Sequence, residues 1–342
     1  MLGKTAKFLF LGAFGLVAAF GASLAPALAQ AETKILFNIF VPPKHPFNVG
    51  MFRPWGKDVE KATKGRVKVS YTSATLAPPP KQWNMVSKGI ADAAMLANIF
   101  ERNRLKLVSI AQAPFSGEKA TKRSVAMWRT HLKYLVKANE YKGMKVLGQW
   151  TISGADILHG KKQITSVADL KKSKIWAIAG IPNKMMTGLG AVVVSVPGIK
   201  MFNVISKGIV DGAVTSAYTM NAFKTMPYIK YITRIPGGFN ANTFSFLFSK
   251  KKWDGMTQAD RKAVMSVSGE RIATNAGGKV DAFDTKARKM AKAKGIKLVT
   301  ASPAFVADLK KRVSWVTEGW LKAAKSKGID GKAALAYFKS QL

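Results

Sequence analysis

The chain has 342 residues, enough for two domains of ordinary size, and 48% of them are hydrophobic, which argues against wholesale disorder. It contains no cysteine, which excludes disulfides and thiolate metal sites, and its three histidines are scattered, so a histidine-based zinc site or Ser-His-Asp triad has little support. Lys and Arg number 55 against 18 Asp and Glu, a formal charge of +37 that attracts polyanions and anionic membranes. The lysines are spread along the whole chain, however, and no zinc finger, RNP pattern or basic zipper occurs, so nucleic-acid binding is not expected.

The N-terminal segment, residues 1–29, is typical of an export signal. Two lysines precede an uncharged apolar run at residues 8–24, and the sequence Ala-Leu-Ala at residues 27–29 matches a small-residue cleavage pattern. A retained membrane anchor is the alternative, because the apolar run approaches the lower length limit for spanning a bilayer. The small residues and the preceding proline favour cleavage near Ala29, so we expect an exported, periplasmic protein.

The rest of the chain predicts strands that alternate with helices. A capping box, with Asp169 in place of Glu, opens a helix at Ser166. The short links between elements indicate mainly parallel sheets. Strands are predicted at residues 34–40, 66–71, 93–96, 144–150, 174–178, 191–196, 228–235, 243–249 and 297–300 and near Val210, and helices at 55–63, 82–88, 118–139, 199–207 and 257–294 and after Ser302-Pro303.

One segment occurs twice. Residues 87–94 (SKGIADAA) return 119 positions later as residues 206–213 (SKGIVDGA), with six of eight positions identical. Each copy follows a helical pattern and precedes a short apolar run, which predicts a helix ended by Gly89 or Gly208 in the left-handed conformation and then a buried strand. The repetition favours two α/β lobes of similar construction; coincidence in a chain rich in Lys, Gly and Ala is the alternative.

The sequence lacks the common catalytic, nucleotide-binding and metal-binding motifs. It has no Walker A loop, no G-x-G-x-x-G after a strand, no H-E-x-x-H and no G-x-S-x-G, and carboxylates are few. An enzyme therefore has little support, and no cofactor or metal is expected. In a two-lobed α/β protein, the ligand is expected in the cleft at the carboxyl ends of the strands, where the Asn98 loop and the segment 215–218 fall.

Four stretches of the chain together match one known family. They are the opening strand and loop at residues 33–46, the helix and strand at 59–69, the KGIVDG motif at 207–212 and the segment FSKKKWDGMT at 248–257. They resemble the DctP-type extracytoplasmic solute receptors of TRAP transporters. The resemblance implies a periplasmic receptor whose two hinged lobes close on a small solute, which is then delivered to a membrane permease driven by an ion gradient.

The predicted fold class is accordingly α/β, periplasmic-binding-protein type II-like, with two hinged lobes and mainly parallel sheets. Lobe I is predicted to contain residues 32–150 plus 240–275. Lobe II is predicted to contain residues 151–239 plus 276–342, including the C-terminal helices.

The resemblance also implies site residues, and here the chain departs from the family. Many members bind a carboxylate with an Arg in the strand after the capping-box helix, where this chain has Trp176. A second family Arg falls at Asp156, and the family's Asn after the Asp-Gly pair is Thr215. Because neither Trp nor Asp replaces a bidentate Arg clamp, we expect a cationic or neutral solute that stacks on Trp176 and is paired with Asp156. The alternatives are plain packing of Trp176 against the sheet and a solvated loop carboxylate at Asp156.

The predicted function is therefore solute capture for a TRAP-type secondary importer, without chemistry on the ligand. The alternatives are an exported basic protein that binds anionic polymers or membrane, and an orphan or sensor periplasmic binding protein. The expected partners are a small solute and the TRAP membrane permease subunits, with no nucleic acid. The predicted ligand-binding residues are polar and aromatic side chains at the proposed cleft: Trp176, Asp156, Asn98, Trp150, Thr215, Tyr218, Phe239 and Asn240.

Overall fold

Two β-sheets organise the residues that the computed structural model describes, 32–342; the predicted export signal lies outside them. The strands are β1 (Thr33–Asn38), β2 (Val67–Tyr71), β3 (Ala93–Ala97), β4 (Met144–Thr151), β5 (Asp156–His159), β6 (Lys174–Trp176), β7 (Val192–Val194), β8 (Gly212–Thr215), β9 (Tyr231–Arg234), β10 (Thr243–Ser249) and β11 (Lys297–Thr300). The first sheet has the order β2-β1-β3-β10-β4 and the second the order β11-β9-β5-β8-β6-β7.

Thirteen α-helices of the described chain cover and connect these sheets. They are α1 (Arg53–Ala62), α2 (Gln82–Ser87), α3 (Ala120–Thr130), α4 (Val167–Leu170), α5 (Ile181–Gly188), α6 (Met201–Ser206), α7 (Ala217–Ala222), α8 (Lys250–Asp254), α9 (Gln258–Ser266), α10 (Glu270–Ala293), α11 (Pro303–Arg312), α12 (Trp315–Ser326) and α13 (Gly331–Ser340). The architecture is α/β, as predicted, but the sheets are mixed: five of the nine strand pairs are parallel and four are antiparallel. The antiparallel pairs all involve β5 or β10, the strands that the chain enters directly after passing from one sheet to the other.

The duplicated segment has the same structure in both sheets. The glycine of each copy ends its helix with a positive φ, 70° in the first copy and 65° in the second. Asp92 Oδ2 accepts the backbone N–H of Leu36 at 2.8 Å, and Asp211 Oδ2 accepts that of Lys174 at 2.9 Å. Each Asp therefore joins its own strand to the neighbouring parallel strand, which explains why the motif includes a carboxylate although it lies outside the cleft.

Two adjacent passages of the chain, residues 152–155 and 235–242, run directly from one sheet to the other, and a third connection, residues 250–296, contains α8–α10. Backbone hydrogen bonds pair the passages, from Ala155 N to the Asn240 carbonyl at 2.7 Å and from Ile152 N to the Asn242 carbonyl at 3.1 Å. At Gly238, which has a φ of 72°, an added Cβ would lie 2.6 Å from Gly154 Cα. Glycine is therefore required at this contact both for its backbone conformation and for its lack of a side chain.

The helix predicted over residues 257–294 is interrupted. Thr257 caps α9 as expected, its side chain accepting from Asp260 N at 3.1 Å, but the chain breaks before Gly269, which has a φ of 62°. Gly269 N then donates to the Leu147 carbonyl, at 2.6 Å, so the break docks the chain onto β4 before α10 begins. A tertiary hydrogen bond thus overrides a helical pattern that is continuous in the sequence.

The C-terminal helices are divided between the two cores. Phe305 and Leu309 of α11 pack with residues of the second sheet, as expected for lobe II. Ala334 and Phe338 of α13 instead pack with Trp128 and other residues beside the first sheet. This packing differs from the assignment of all of residues 276–342 to lobe II, and the predicted lobe boundaries otherwise stay a prediction. Within residues 32–342, the structure has no helix with the length and hydropathy of a membrane span.

Candidate functional site

A cavity of about 680 Å³, counting space open to solvent, lies between the carboxyl ends of strands from both sheets. The loop after β1, the end of β3 and the start of β10 contribute from the first sheet, and the end of β6 and the first turn of α7, which follows β8, contribute from the second. None of the described residues that line it is Asp, Glu, Lys or Arg. Its wall is mainly aromatic and aliphatic, with rings from Phe40, Phe47, Phe100, Trp176, Tyr218, Phe223 and Phe244.

Trp176 lines this cavity from the end of β6 and is buried. Its indole Nε1 donates to the Val196 carbonyl at 3.1 Å, so the ring can offer a stacking face to a ligand but its N–H is already used. Ile178 and Met201 pack around it in the same cluster. Trp176 therefore combines the two roles that the sequence left open, packing against the sheet and facing the cavity.

A small polar compartment adjoins the aromatic cavity. The two share Ile152, Ile178 and Asn242, and the compartment adds Ser153, Thr215 and Asn240 among its lining residues. Thr215 and Ser153 are each 3% exposed, and neither hydroxyl has a hydrogen-bond partner among residues 32–342. Because a buried polar group without a partner costs about 1–3 kcal/mol, these hydroxyls are candidates for ligand contacts.

Tyr218 and His45 lie at another part of the aromatic cavity, with ring centroids 6.3 Å apart in an edge-to-face arrangement. His45 belongs to the proline-rich loop after β1, and Tyr218 to the first turn of α7. Burial lowers the pKa of His45 to about 4, so its imidazole is neutral at physiological pH, and burial raises the pKa of Tyr218. Both side chains therefore present uncharged hydrogen-bonding groups.

Asp156 does not line the cavity; its carboxylate belongs to a buried ion network. Arg288 of α10 lies between two carboxylates, with a guanidinium nitrogen 2.7 Å from Asp156 Oδ2 and Nε 2.7 Å from Asp284 Oδ2. Asp156 Oδ1 also accepts the backbone N–H of Ile235 at 3.1 Å. Burial raises the pKa of Asp156 to about 6, although Arg288 opposes this. Burial lowers the pKa of Arg288, but the two carboxylates outweigh it and raise the pKa.

The prediction that the Asp156 carboxylate pairs with a cationic solute is therefore wrong. The carboxylate is 3% exposed and already has an internal cation, Arg288. It is also not the solvated loop carboxylate that was the alternative, because it starts a central strand, β5. The sequence shows neither fact, since Arg288 lies far along the chain on α10.

Three further predicted ligand residues, Asn98, Trp150 and Phe239, are buried and make internal contacts. Asn98 is buried, donates from Nδ2 to Thr243 Oγ1 at 3.1 Å and accepts from Ser245 Oγ at 2.8 Å. Trp150 belongs to the core of the first sheet and stacks on Phe244, with ring centroids 5.6 Å apart. Its Nε1 has no hydrogen-bond partner within the described chain.

Phe239, also a predicted ligand residue, is buried in the core of the second sheet against Phe115, with ring centroids 6.0 Å apart. Sequence reasoning missed His45, Phe47 and Ser153 as cavity residues. His45 follows the carboxyl end of β1, beside the Asn98 loop that follows β3, and that neighbouring position in the sheet was the available signal.

Comparison with known proteins identifies the family. The model of the family described as DctP, bacterial extracellular solute-binding protein, family 7, matches residues 37–323. The chain belongs to this family. It is a solute receptor of the extracytoplasmic TRAP type, a family whose members are periplasmic. The family implies a small solute and a TRAP permease as its partners. Family membership confirms the main function and the fold class predicted from the sequence.

Individual family members resemble the chain over nearly its whole length. The protein named outer membrane transporter protein TsaT, from Comamonas testosteroni, is 35% identical over 318 residues, which cover 92% of this chain and 94% of that protein. The structure of a TRAP periplasmic solute-binding protein from Bordetella bronchiseptica with bound (R)- and (S)-mandelate has a TM-score of 0.87 and 30% identity, covering 90% of this chain and 98% of the other. A marine metagenome TRAP protein specific for aromatic acid ligands has a TM-score of 0.82 and 27% identity, covering 91% and 98%.

The described part of the chain contains no group of three or more His, Cys, Asp or Glu residues that could hold a metal ion. The described residues that line the cavity and its compartment offer a ligand rings, aliphatic groups, hydroxyls, amides and a neutral imidazole. In ligand sites of this kind, apolar and aromatic side chains supply most of the contact area, and a few polar groups fix the orientation of the ligand.

Proposed function

We propose that this receptor captures a small aromatic acid in the cavity between its two sheets. One observation supports the proposal: the aromatic cavity adjoins a compartment lined by Ser153 and Thr215, whose buried hydroxyls have no hydrogen-bond partner in the described chain. The ring of the solute would lie among the aromatic side chains, against Trp176. The carboxylate would accept hydrogen bonds in the compartment, where the amides of Asn240 and Asn242 are also available.

An acid is favoured over the cationic or neutral solute predicted from the sequence. A cation in this cavity would meet no carboxylate among the described lining residues, because Asp156 is held by Arg288. An anion would be attracted by the formal charge of +37 and would receive hydrogen bonds from the hydroxyls, which a buried carboxylate requires. The ligands of the two relatives described above, mandelate and aromatic acids, support this class of solute.

The receptor would be exported by a cleaved signal and would not act as an enzyme. The predicted signal at residues 1–29 would be cleaved near Ala29, placing the mature receptor in the periplasm. The receptor would perform no chemistry on its solute and would deliver it unchanged to the membrane permease.

Calorimetry on the purified mature protein tests the proposal with three matched probes, benzoate, benzamide and benzylammonium. We expect benzoate to bind best and benzylammonium not to bind. Thr215→Val keeps the shape of the side chain but removes the hydroxyl. Because a hydrogen bond to a charged group contributes about 1.5–3 kcal/mol, this variant should bind benzoate about 10- to 150-fold more weakly.

The unliganded Thr215→Val protein should unfold at the same temperature as the wild type or higher, since it no longer buries an unpartnered hydroxyl. Thr285→Val is the control, because Thr285 is exposed on α10 and its hydroxyl donates to the Asp281 carbonyl of the same helix. Equal binding of benzoate and benzylammonium, or unchanged benzoate binding by Thr215→Val, would contradict the proposal.

A further inference from the structure

The hydroxyl of Tyr218 is an unexplained polar group in the aromatic cavity. Tyr218 is 3% exposed, and its hydroxyl has no hydrogen-bond partner anywhere in residues 32–342. Tyr218 lines the main cavity and an outer groove, but it does not line the polar compartment of Ser153 and Thr215. A phenol buried without a partner is unfavourable, so a group that binds in the cavity is expected to supply one.

His45, whose ring centroid lies 6.3 Å from that of Tyr218, adds a donor to the same cavity. Its Nδ1 accepts the backbone N–H of Phe47 at 3.2 Å, and a neutral imidazole that accepts at Nδ1 carries its proton on Nε2. The His45 ring lines the same cavity and the same outer groove as Tyr218. The pair therefore offers a hydroxyl, which can donate or accept, and an N–H, which can only donate.

The backbone and the ring of Tyr218 are both held in place. Its backbone N–H donates to Asp284 Oδ1 at 2.8 Å, and Asp284 is itself bound by Arg288. The ring packs against Phe47 and Phe283, with centroid distances of 5.8 and 6.5 Å. A side chain fixed in this way loses little conformational freedom when it binds a ligand, which suits it to select among solutes.

We propose that Tyr218 and His45 form a second polar subsite, which hydrogen-bonds a polar substituent on the aromatic acid at a distance from its carboxylate. A hydroxyl substituent fits both partners, because it can accept from His45 Nε2–H while it donates to the Tyr218 oxygen or accepts from it. The solute class is thereby narrowed to hydroxylated aromatic acids, with one polar end in the compartment of Thr215 and the other at Tyr218. This inference rests on the proposed function and adds a specificity-determining pair to it.

The test compares the affinities of benzoate, 3-hydroxybenzoate and 4-hydroxybenzoate by calorimetry. For the wild type, at least one hydroxybenzoate should bind about two- to tenfold more tightly than benzoate, as expected for one added neutral hydrogen bond. In Tyr218→Phe, the ratio between that hydroxybenzoate and benzoate should fall towards one. Tyr228→Phe is the control, because Tyr228 is 40% exposed and lines none of the cavities described above, and it should keep the wild-type ratio.

His45→Phe provides an independent second variant, which keeps a ring at this position but removes the N–H, and it should lower the same ratio. Thermal unfolding of each unliganded variant shows whether the fold is kept. If acids bind but both variants keep the wild-type ratio, the subsite is overturned while the proposed function stands. If no aromatic acid binds the wild type, the proposed function fails and the subsite with it.

Discussion

Removing the Arg288 side chain is expected to destabilise the protein strongly. In Arg288→Met, the carboxylates of Asp156 and Asp284 would lose the cation that lies 2.7 Å from each of them. Both Asp residues are buried, at 3% and 7% exposure, so water cannot replace the guanidinium. Breaking a buried ion pair by removing one partner costs about 3–5 kcal/mol, and we expect a loss of this size in the free energy of unfolding at pH 7.5.

The loss in the free energy of unfolding caused by Arg288→Met should become smaller as the pH falls. The pKa of Asp156 is about 6 in the folded wild type, above its ordinary value, because burial disfavours the charged carboxylate. Without Arg288, which lowers this pKa, it should rise further. A carboxyl group whose folded pKa lies above its unfolded pKa binds protons more readily when folded, so its folded state gains stability as the pH falls through that folded pKa. Arg288→Met should therefore recover part of its lost stability between pH 7.5 and pH 5.

Urea unfolding followed by circular dichroism at the two pH values measures both effects. Arg312→Met is the matched control, because Arg312 forms an ion pair of the same i,i+4 type with Asp308 at 2.8 Å, but both side chains are at least 40% exposed. An exposed pair contributes about 0–1 kcal/mol, so this variant should unfold almost as the wild type does. If Arg288→Met loses no more stability than Arg312→Met, the reasoning about a buried network is refuted.

Two further predictions concern the connection between the sheets. Small-angle scattering should show a smaller radius of gyration when the solute is bound, since hinge closure around ligand is an established mode for two-lobed receptors; an unchanged radius at saturation would count against closure. Gly238→Ala should lower the free energy of unfolding by more than Gly65→Ala. Both positions have a positive φ, which costs about 1–2 kcal/mol for a residue with a Cβ, but only at Gly238 would the Cβ meet neighbouring backbone, Gly154 Cα at 2.6 Å. Equal losses in the two variants would show that the close contact relaxes at no cost.

Local signals in the sequence predicted much of the secondary structure correctly. The helix-ending glycines of the repeat, the capping box at Ser166 and the N-cap at Ser302 each depend on neighbouring residues only, and all are present in the structure. The same kind of signal failed at residues 267–269, where the docking of Gly269 on Leu147 breaks a helix whose sequence pattern is continuous. A hydrogen bond between residues far apart in the sequence causes the helix break, and the periodicity of the local sequence cannot predict such a contact.

The candidate site shows the same division. The sequence by itself placed Trp176 within the strand that follows the capping-box helix, and it placed Thr215 and Tyr218 just after the strand that follows the second copy of the repeat. Strand periodicity and the repeat are local signals, and they are sufficient for these placements. Only the tertiary structure decided which of their polar groups are free to bind a ligand. The Asp156 carboxylate forms an ion pair with Arg288, and the Trp176 N–H donates to the Val196 carbonyl. The hydroxyls of Thr215 and Tyr218, in contrast, have no hydrogen-bond partner in the described chain. The physical reason is that a side chain's availability depends on which groups pack against it, and those groups come from elements far apart in the sequence.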